Sequence, residues 1–557
     1  WHLTRARDMT SGGPFGEWRL GRGFERYYRF LYSLIDQWHP ELVEDNRFIP
    51  TPRRPGYHLS EDLAEQTIAM VRDARAADPA RPFFAYLAFG ACHSPHQAPR
   101  EWIDRYAGQF DEGWDVMRQR WLDNQIALGI SPEGTRLTTR NPEVAAWDSL
   151  SADEKRVCAR HQEVFAGFLS HTDAQIGRVT DYLEQAGLLD DTLVIVMSDN
   201  GASAEGGALG NLNLRRHFQH IPETLDEHLA ALGTLGSDRH WNTYPAGWGH
   251  AGNTPHRWFK MQTHGGGVRD PLIVHWPRRI SEGGGISRQF CHCADLAPTI
   301  LEVAGIDPAP QPGRMAMQGT SIAYTFDDIE APSRKRVQYF ELMGNRGIWA
   351  DGWKAVTRHV PGDDYETEKW ELYHLDSDFS EAQDLADAHP DLLAELKELW
   401  EREAAANSVF PLDDRNIERL PHTYYLSPRR CWTFEQGQGR LSGYAAPTIG
   451  NRSYLIEGEI EIGLASHGVI LAAGGQAGGF VLHLDGGHLV HEYVGPRRRE
   501  VLRSAAALEP GRRRIAFQFA KTGELGGTAS LMVDGRTEGV AQMSALWPSP
   551  VSGGGTC

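Results

Sequence analysis

The sequence predicts an α/β protein in which helices flank a sheet, followed by a small α+β unit and an antiparallel β-sandwich. Two short apolar runs, 82–89 and 192–197, each follow a helical pattern, and this alternation is typical of α/β folds. Beyond residue 411 the pattern changes to period-two alternation broken by turn sequences, which indicates antiparallel strands. With 557 residues, the chain is also too long for one hydrophobic core, so we expect several domains.

Composition and charge narrow the class of protein before any motif is considered. Hydrophobic residues make up 41% and charged residues 23% of the chain, as in ordinary globular proteins. The formal net charge of −18 argues against nucleic acid or an anionic membrane as the main partner. No apolar run approaches the roughly 20 residues that a membrane-spanning helix needs. A small anionic substrate is compatible with this charge, because a local group of cations can overcome the field of the whole protein.

The central motif is an apolar run that ends in acidic and amide side chains. Residues 193–197 are typical of a strand buried on both faces of a parallel sheet, and Ser198-Asp199-Asn200-Gly201 follow directly. Ligands of such sheets bind beyond the carboxyl ends of the strands. A carboxylate beside an amide offers the hard oxygen atoms that Ca²⁺ or Mg²⁺ prefers. The alternative is an Asx turn that only closes the strand.

The chain before this motif predicts a helix and then another strand. Ser60 is a candidate N-cap, with acidic residues in the first turn and an apolar stripe of helical spacing behind it. The apolar run 82–89 predicts a second buried strand, which ends in a polar loop containing His93. That imidazole could bind an anion or move a proton, or it could be a structural histidine in a loop rich in proline.

Around and after the central motif, the sequence predicts a long helix and a glycine-rich block. An amphipathic helix is expected over residues 151–186, immediately before the central strand. Further along, Lys260 precedes the glycine run 265–267, and a short strand is expected at 272–276. Consecutive glycines let the backbone approach a ligand closely, and Lys260 could supply positive charge there. The alternative is an ordinary solvated lysine.

We expect three domains from these patterns. Residues 1–335 form the α/β domain, 336–415 a small sheet-plus-helix unit, and 416–557 a β-sandwich of concanavalin or jelly-roll type. Alternating runs such as 456–462 and 515–519, separated by Asp-Gly turns, indicate the sandwich. It contains no cluster of His, Asp or Lys, so an activity of its own would be carbohydrate binding.

Two of these blocks resemble the type I sulfatases, and in particular the bacterial arylsulfatases of the alkaline phosphatase-like superfamily. They are Ser198-Asp199-Asn200-Gly201 and Lys260 with Gly265-Gly266-Gly267-Val268-Arg269. Weaker matching pieces follow the family order over roughly residues 1–400: Trp1-His2, Phe89-Gly90-Ala91-Cys92-His93-Ser94-Pro95, His292-Cys293-Ala294-Asp295-Leu296-Ala297-Pro298-Thr299 and Glu371-Leu372-Tyr373-His374-Leu375-Asp376. The resemblance implies an alkaline phosphatase-like mixed sheet flanked by helices, with a smaller C-terminal sheet and helix.

The resemblance also implies a set of site residues. Asp199 and Asn200 would bind a single Ca²⁺ ion, since the related two-zinc phosphatases have histidine where Asn200 stands. His93 and Lys260 would hold the sulfate group. His2 would face the catalytic aldehyde hydrate, and His93 or His2 would assist proton transfer. Cleavage of a sulfate ester builds negative charge on oxygen atoms, which cations and imidazoles stabilise.

Parts of the family pattern are absent from the sequence. The family nucleophile is a formylglycine made from the first residue of Cys/Ser-x-Pro-x-Arg, and none of the six cysteines lies in that pattern. An upstream Asp-Asp pair that completes the calcium shell and the Lys of a Lys-Trp-His element are absent too. We therefore expect a fragment whose formylglycine, produced by a formylglycine-generating enzyme, lies upstream of residue 1.

The function expected from this resemblance is hydrolysis of aryl or related organic sulfate esters, on small-molecule or carbohydrate substrates, to alcohol and inorganic sulfate. We expect the chain as it stands to be inactive, because covalent catalysis needs an activated nucleophile. Two alternatives remain open: a phosphate or phosphonate ester hydrolase of the same superfamily, and a carbohydrate-binding protein that acts through the β-sandwich. The compartment is left open between bacterial cytoplasm, periplasm and secretion.

Overall fold

The computed structural model describes residues 3–5, 8–32, 34–280, 283–307, 313, 315–415, 429–438, 441, 445–447, 449–464, 466–475, 478–544, 546–548 and the backbone of 555–556. The α-helices are α1 (Leu59–Ala77), α2 (Arg100–Ile103), α3 (Gly113–Ala127), α4 (Ala152–Gln185), α5 (Leu214–Phe218), α6 (Leu225–Ala231), α7 (Ala246–Gly252), α8 (Gly265–Val268), α9 (Leu296–Val303) and α10 (Pro390–Ala406). Among the described residues, no helix is both long and apolar enough to cross a membrane.

The strands of the described residues fall into five sheets, and most of these strands lie in the second half of the chain. A three-stranded sheet consists of β1 (Tyr28–Arg29), β2 (Leu42–Glu44) and β3 (Arg47–Ile49). A separate two-stranded sheet consists of β4 (Val194–Met197) and β5 (Leu272–His275). A four-stranded sheet consists of β6 (Val337–Leu342), β7 (Asn345–Ala350), β8 (Trp353–Thr357) and β9 (Trp370–His374). The strands of the C-terminal region are β10 (Tyr454–Ile462), β11 (Gly468–Gly475), β12 (Gly478–Asp485), β13 (His488–Val494), β14 (Arg499–Arg503), β15 (Gly511–Lys521), β16 (Gly527–Val533), β17 (Arg536–Met543) and β18 (Gly555–Thr556).

The long helix α4 forms the spine of the α/β region. It begins at a capping box: the Ser151 hydroxyl accepts the Glu154 N–H, and the Glu154 carboxylate accepts the Ser151 N–H. Helix α2 crosses α4 so closely that a Cβ on Gly167 would lie 2.7 Å from the Ile103 Cα atom. The helix predicted over 151–186 is therefore confirmed, and its glycine permits the close packing.

Helix α1 is also confirmed, but its cap is not the residue predicted. His58 is the N-cap, and its Nδ1 atom accepts the Ser60 N–H. Ser60 itself lies inside the first turn and is fully buried. An imidazole is an uncommon cap, and the sequence rule favours serine for that position.

The central strand pair differs from the buried parallel arrangement that the sequence predicts. β4 and β5 run antiparallel, with Met197 opposite Leu272 and Val194 opposite His275. One face of the pair is open, since Ile273 is 60% exposed. The prediction of a strand buried on both faces was wrong, because an unbroken apolar run does not by itself specify what covers each face.

The prediction of a second strand over residues 82–89 was also wrong. This segment has no ladder hydrogen bonds to any strand of the described chain, and Phe84 and Tyr86 are 62% and 65% exposed. Its last residues still pack inward, because Leu87 and Phe89 contact the cluster around Leu59. β-propensity is expressed only where a partner strand is available.

The two C-terminal sheets agree with the alternating patterns in the sequence. Helix α10 packs on the β6–β9 sheet through Trp400, which is fully buried and donates its indole N–H to the Phe340 carbonyl oxygen. Sheets β10-β15-β16-β17 and β14-β13-β12-β11-β18 share one core that contains Leu482, Phe517 and Leu531. The predicted fold class, a mixed α/β domain with C-terminal antiparallel sheets, is confirmed.

Candidate active site

The segment that follows β4 is pressed against the glycine run near residue 266. Gly201 donates its N–H to the Gly267 carbonyl oxygen at 3.2 Å. A Cβ atom on Gly201 would lie only 1.9 Å from the Gly266 carbonyl oxygen. Glycine is therefore required at 201 because the two backbones touch, and this contact brings the Asp199–Asn200 pair next to the loop that carries Lys260.

Gly201→Ala is predicted to destabilise the α/β region by about 3 kcal/mol, because the added methyl group must push two backbone segments apart. Urea unfolding of the purified protein measures this change. Gly177→Ala is the matched control, since a Cβ there meets no heavy atom within 4 Å and alanine favours a helix. Equal stability of the two variants would contradict the contact.

Asn253 ties the Lys260 loop to the segment after β4. Its side-chain oxygen accepts the Ala202 N–H at 2.8 Å, and its Nδ2 atom donates to the carbonyl oxygens of Ala202 and Trp258. The Lys260 N–H donates to the same Ala202 carbonyl oxygen at 3.0 Å. One buried amide and one carbonyl thus fix where the Lys260 backbone lies.

The backbone around Lys260 adopts an unusual conformation. Trp258 and Met261, on either side of it, have φ angles of +66° and +76°. Residues other than glycine rarely adopt this left-handed backbone conformation, and each such residue costs about 1–3 kcal/mol of folding free energy. A loop with two of them keeps its shape only because surrounding contacts hold it, and such strain is often found at functional sites.

Lys260 and His93 are in direct contact although they are 167 residues apart in the sequence. The Lys260 ammonium donates to His93 Nε2 at 3.3 Å, and His93 Nδ1 donates to the Ser94 carbonyl oxygen at 3.2 Å. This network assigns a neutral imidazole with its proton on Nδ1. Burial and then the Lys260 charge lower the pKa of His93, while Glu205 and Asp199 act in the opposite direction. The lone pair on Nε2 is therefore held toward Lys260.

Asp199 has a carboxylate neighbour that the sequence analysis missed. Because β4 and β5 are antiparallel, the end of β4 lies beside the start of β5, and the Ser198 N–H donates to the Pro271 carbonyl oxygen at 3.3 Å. Burial, and then the negative charge of Asp199, raise the pKa of Asp270 to about 7. The signal available in the sequence was the position of Asp270, directly after the glycine block.

The acidic end of this pocket fits a hard cation in chemistry but does not complete a coordination shell. Asp199 is exposed and Asn200 half-buried, and both carry oxygen atoms of the kind that Ca²⁺ prefers. Two carboxylates that repel each other, Asp199 and Asp270, are also stabilised by a cation. In the part of the chain that the structure describes, no three His, Cys, Asp or Glu side chains are grouped to hold a metal ion. A Ca²⁺ ion takes about six to eight oxygen ligands, so further ligands are needed.

The remaining candidates do not provide a nucleophile. His2 lies outside the described residues. Cys92, beside His93, is a thiol at neutral pH, because burial raises its pKa to about 12. The Ser94 hydroxyl forms a hydrogen bond with the Thr243 hydroxyl. Among the described residues, this cluster thus brings a cationic group and acidic groups together, and no activated nucleophile lies beside His93.

A profile of the sulfatase family matches residues 1–306, more than half of the chain. The chain belongs to the sulfatase family. A second profile, of the C-terminal region of N-sulphoglucosamine sulphohydrolase, matches residues 254–405. The site residues described above lie within the first match, and the second covers the sheet β6–β9 and all but the last residue of α10.

Individual sulfatases resemble the chain to different extents. A sulfatase of Schizosaccharomyces pombe is 36% identical over 354 residues, which is 62% of this chain and 61% of that protein. An arylsulfatase of Klebsiella aerogenes is 27% identical over 355 residues, or 59% of this chain and 72% of the enzyme. The crystal structure of Ps i-CgsB has a TM-score of 0.47 and 18% identity, over 73% of this chain and 72% of the other. The chain thus spans about three fifths of the first relative's length.

Proposed function

We propose that this sulfatase is a sulfuric ester hydrolase of the arylsulfatase type, which cleaves aryl or related organic sulfate esters to alcohol and inorganic sulfate. The observation that carries the proposal is the contact of the Lys260 ammonium with His93 Nε2, beside the Asp199–Asn200 end of β4. The similarity to the Klebsiella aerogenes arylsulfatase supports the aryl class. Small-molecule and carbohydrate sulfate esters both fall within the proposed substrate range.

Lys260 and His93 would bind the sulfate group and stabilise the charge that develops on it. The protein has a net charge of −18, so an anionic ester needs a local cation to enter the pocket. A half-buried ammonium is effective there, because charge interactions strengthen where water is excluded. His93 exchanges its proton at Nε2, since Nδ1 is committed to the Ser94 carbonyl oxygen.

Asp199 and Asn200 would hold one Ca²⁺ ion at the acidic end of the pocket. A bound calcium ion supplies positive charge that offsets the charge of the sulfate oxygens. Asp270 is a further candidate ligand, because its carboxyl group is near Asp199 and is half-buried. Removing Asp199 would then release the ion and leave Asp270 without either repulsion or a cation.

The nucleophile in this proposal is a formylglycine supplied by a segment outside the sequence. A formylglycine hydrate supplies an activated oxygen nucleophile, which a formylglycine-generating enzyme prepares in the complete protein. Two features support this: the six cysteines lie outside any Cys/Ser-x-Pro-x-Arg pattern, and the apolar side chains of Phe84, Tyr86 and Ile273 are exposed. In that complete protein, His2 would face the formylglycine hydrate.

The expected result is no sulfatase turnover by the chain as given, and turnover by a longer chain that carries the upstream segment with its cysteine converted to formylglycine. Release of a chromogenic phenol from its sulfate ester, with calcium present, measures both. Sustained turnover by the short chain, abolished by Lys260→Ala, would mean that the pocket contains another nucleophile.

The same assay separates the alternatives. A longer chain that hydrolyses a phenyl phosphate or phosphonate ester faster than the sulfate ester would establish the phosphate-type alternative. Carbohydrate binding through the β-sandwich would need aromatic residues other than Phe480, Phe517 and Phe519, which are buried in its core. Sugar sites normally present exposed aromatic faces to the ligand.

A further inference from the structure

The loop that carries Lys260 is held from one side by the small sheet β6–β9. Four of the five residues from Met261 to Gly265 make polar contacts with residues of the C-terminal sheet-plus-helix unit. The contacts are Asn345 Nδ2 to the Met261 carbonyl oxygen (3.1 Å), Thr263 Oγ1 to the Arg346 carbonyl oxygen (2.9 Å), His264 Nε2 with Glu371 Oε2 (2.8 Å) and Gly265 N–H to Glu381 Oε2 (2.8 Å).

Most of these contacts are buried. Thr263 and His264 are each 2% exposed, and Glu381 is 3% exposed. The second oxygen of Glu381 accepts a hydrogen bond from the Lys354 ammonium at 2.6 Å, so the carboxylate is charged and fixed by a buried partner. Hydrogen bonds in such an interface are costly to lose, because the groups left behind find no water.

The contact closest to Lys260 comes from Asn345, the first residue of β7. Its amide nitrogen donates to the carbonyl oxygen of Met261, the residue that follows Lys260 and has a φ angle of +76°. Its side-chain oxygen accepts the His359 N–H at 3.0 Å, which fixes the orientation of the amide. The strained residue Met261 is thus fixed by the Asn345 amide, whose own orientation is fixed by His359.

We propose that Asn345 and the β7 backbone at Arg346 are positioning groups for Lys260, so that the small C-terminal sheet sets the distance between the Lys260 ammonium and His93. This inference rests on the proposed function, because it assigns the sheet a role in the same sulfate-binding pocket. The sheet acts through the loop backbone at Met261 and Thr263 and does not contact the sulfate group. Released from these bonds, the strained loop would relax and Lys260 would leave His93.

Thr263→Val tests the proposal with the smallest change. Valine keeps the shape of threonine but removes the hydroxyl that donates to Arg346, and the β6–β7 hairpin keeps all of its own bonds. We expect faster deuterium uptake in peptides covering residues 258–268, and a kcat/KM lower by about tenfold in the longer, active chain. Asn345→Ala is a second variant with the same expected direction.

Thr172→Val is the matched control, since Thr172 is also buried and donates its hydroxyl to one carbonyl oxygen, that of Phe168, within α4. It should shift the urea midpoint as Thr263→Val does, without changing deuterium uptake by the Lys260 loop or kcat/KM.

The titration of His93 gives a readout that needs no turnover. Loss of the neighbouring ammonium should raise the pKa of His93 in Thr263→Val, measured by NMR with ¹³C-labelled histidine and assigned with His93→Asn.

The outcomes distinguish this inference from the proposed function. If Thr263→Val and Asn345→Ala lower only the urea midpoint, and leave loop exchange and the His93 titration as in the parent protein, the sheet has a structural role alone and the inference is overturned. If the longer parent chain does not hydrolyse a sulfate ester, the proposed function fails instead. Deuterium exchange in the Lys260 loop and the titration of His93 still show, in that case, whether the sheet positions Lys260.

Discussion

Replacing Lys260 by alanine in the longer, formylglycine-bearing chain should lower kcat by about 10² to 10³, because removal of one preorganised charge donor has an effect of that order. The affinity for inorganic sulfate as an inhibitor should fall as well, since the ammonium faces the anion in the ground state. Removal of the cation should also raise the pKa of His93, which Lys260 now helps to lower. Steady-state kinetics on a chromogenic sulfate ester measures the first two effects.

Two further variants make this test specific. Lys260→Arg keeps the charge but changes the geometry, so we expect it to recover part of the sulfate affinity. Lys369→Ala removes a lysine whose side chain is 77% exposed and should leave the kinetics unchanged. Turnover of Lys260→Ala within threefold of the parent enzyme would exclude Lys260 from the catalytic machinery.

The α/β region should lose stability steeply as the pH falls below about 6.5. Burial lowers the pKa of His58, His96, His250 and His256 to about 3 in the folded protein, against an ordinary value of 6.5. A histidine whose folded pKa is lowered binds its proton more readily in the unfolded chain. Stability is therefore complete above pH 6.5 and is lost as the pH falls from 6.5 toward 3.

The expected size of this effect is large. At pH 5 each of these histidines should contribute a loss of about 2 kcal/mol, because one pH unit corresponds to about 1.4 kcal/mol for a group that titrates only when unfolded. Four of them amount to about 8 kcal/mol, comparable to the whole stability of a typical domain. In the β-sandwich, burial lowers the pKa of His491 to about 3 in the same way. One such histidine costs less stability in acid than four, so we expect the sandwich to unfold at a lower pH than the α/β region.

Urea midpoints measured between pH 5 and pH 8 test this expectation. His250 is the residue of choice, because both of its ring nitrogens are buried and have no hydrogen-bond partner among the described residues. His250→Gln should flatten the pH dependence by about 2 kcal/mol at pH 5. His39→Gln, at a side chain 59% exposed, should not change it. Equal pH profiles for both variants and the parent protein would contradict the assignment of His250 as a buried neutral imidazole.

Local patterns in the sequence predicted much of the fold. Helix α4 was visible from the spacing of its apolar positions, which is decided within a few turns, and the structure adds a capping box at Ser151. The sandwich strands were visible from period-two alternation, because one face of each strand packs into a shared core. Helix α10, the helix of the predicted sheet-plus-helix unit, begins at Pro390, whose fixed φ suits the first helical turn.

Motifs also named the candidate site residues without giving their geometry. Asp199 and Asn200 follow β4 as the sequence predicts, and Lys260 and His93 lie in loops rich in glycine and proline. Their roles in catalysis and calcium binding remain predictions, which the experiments above address. His2 remains a prediction outside the described residues.

Tertiary structure alone decided three features of the site. The antiparallel direction of β5 brings Asp270 beside Asp199, the packing of two loops places Lys260 against His93 across 167 residues, and the sheet β6–β9 holds the loop at Met261. The segment 82–89 is left without a partner strand in the described chain for the same reason. Helix caps and side-chain alternation are set by neighbours in the sequence, whereas strand direction and contacts between loops depend on residues far apart in the chain, which no local pattern records.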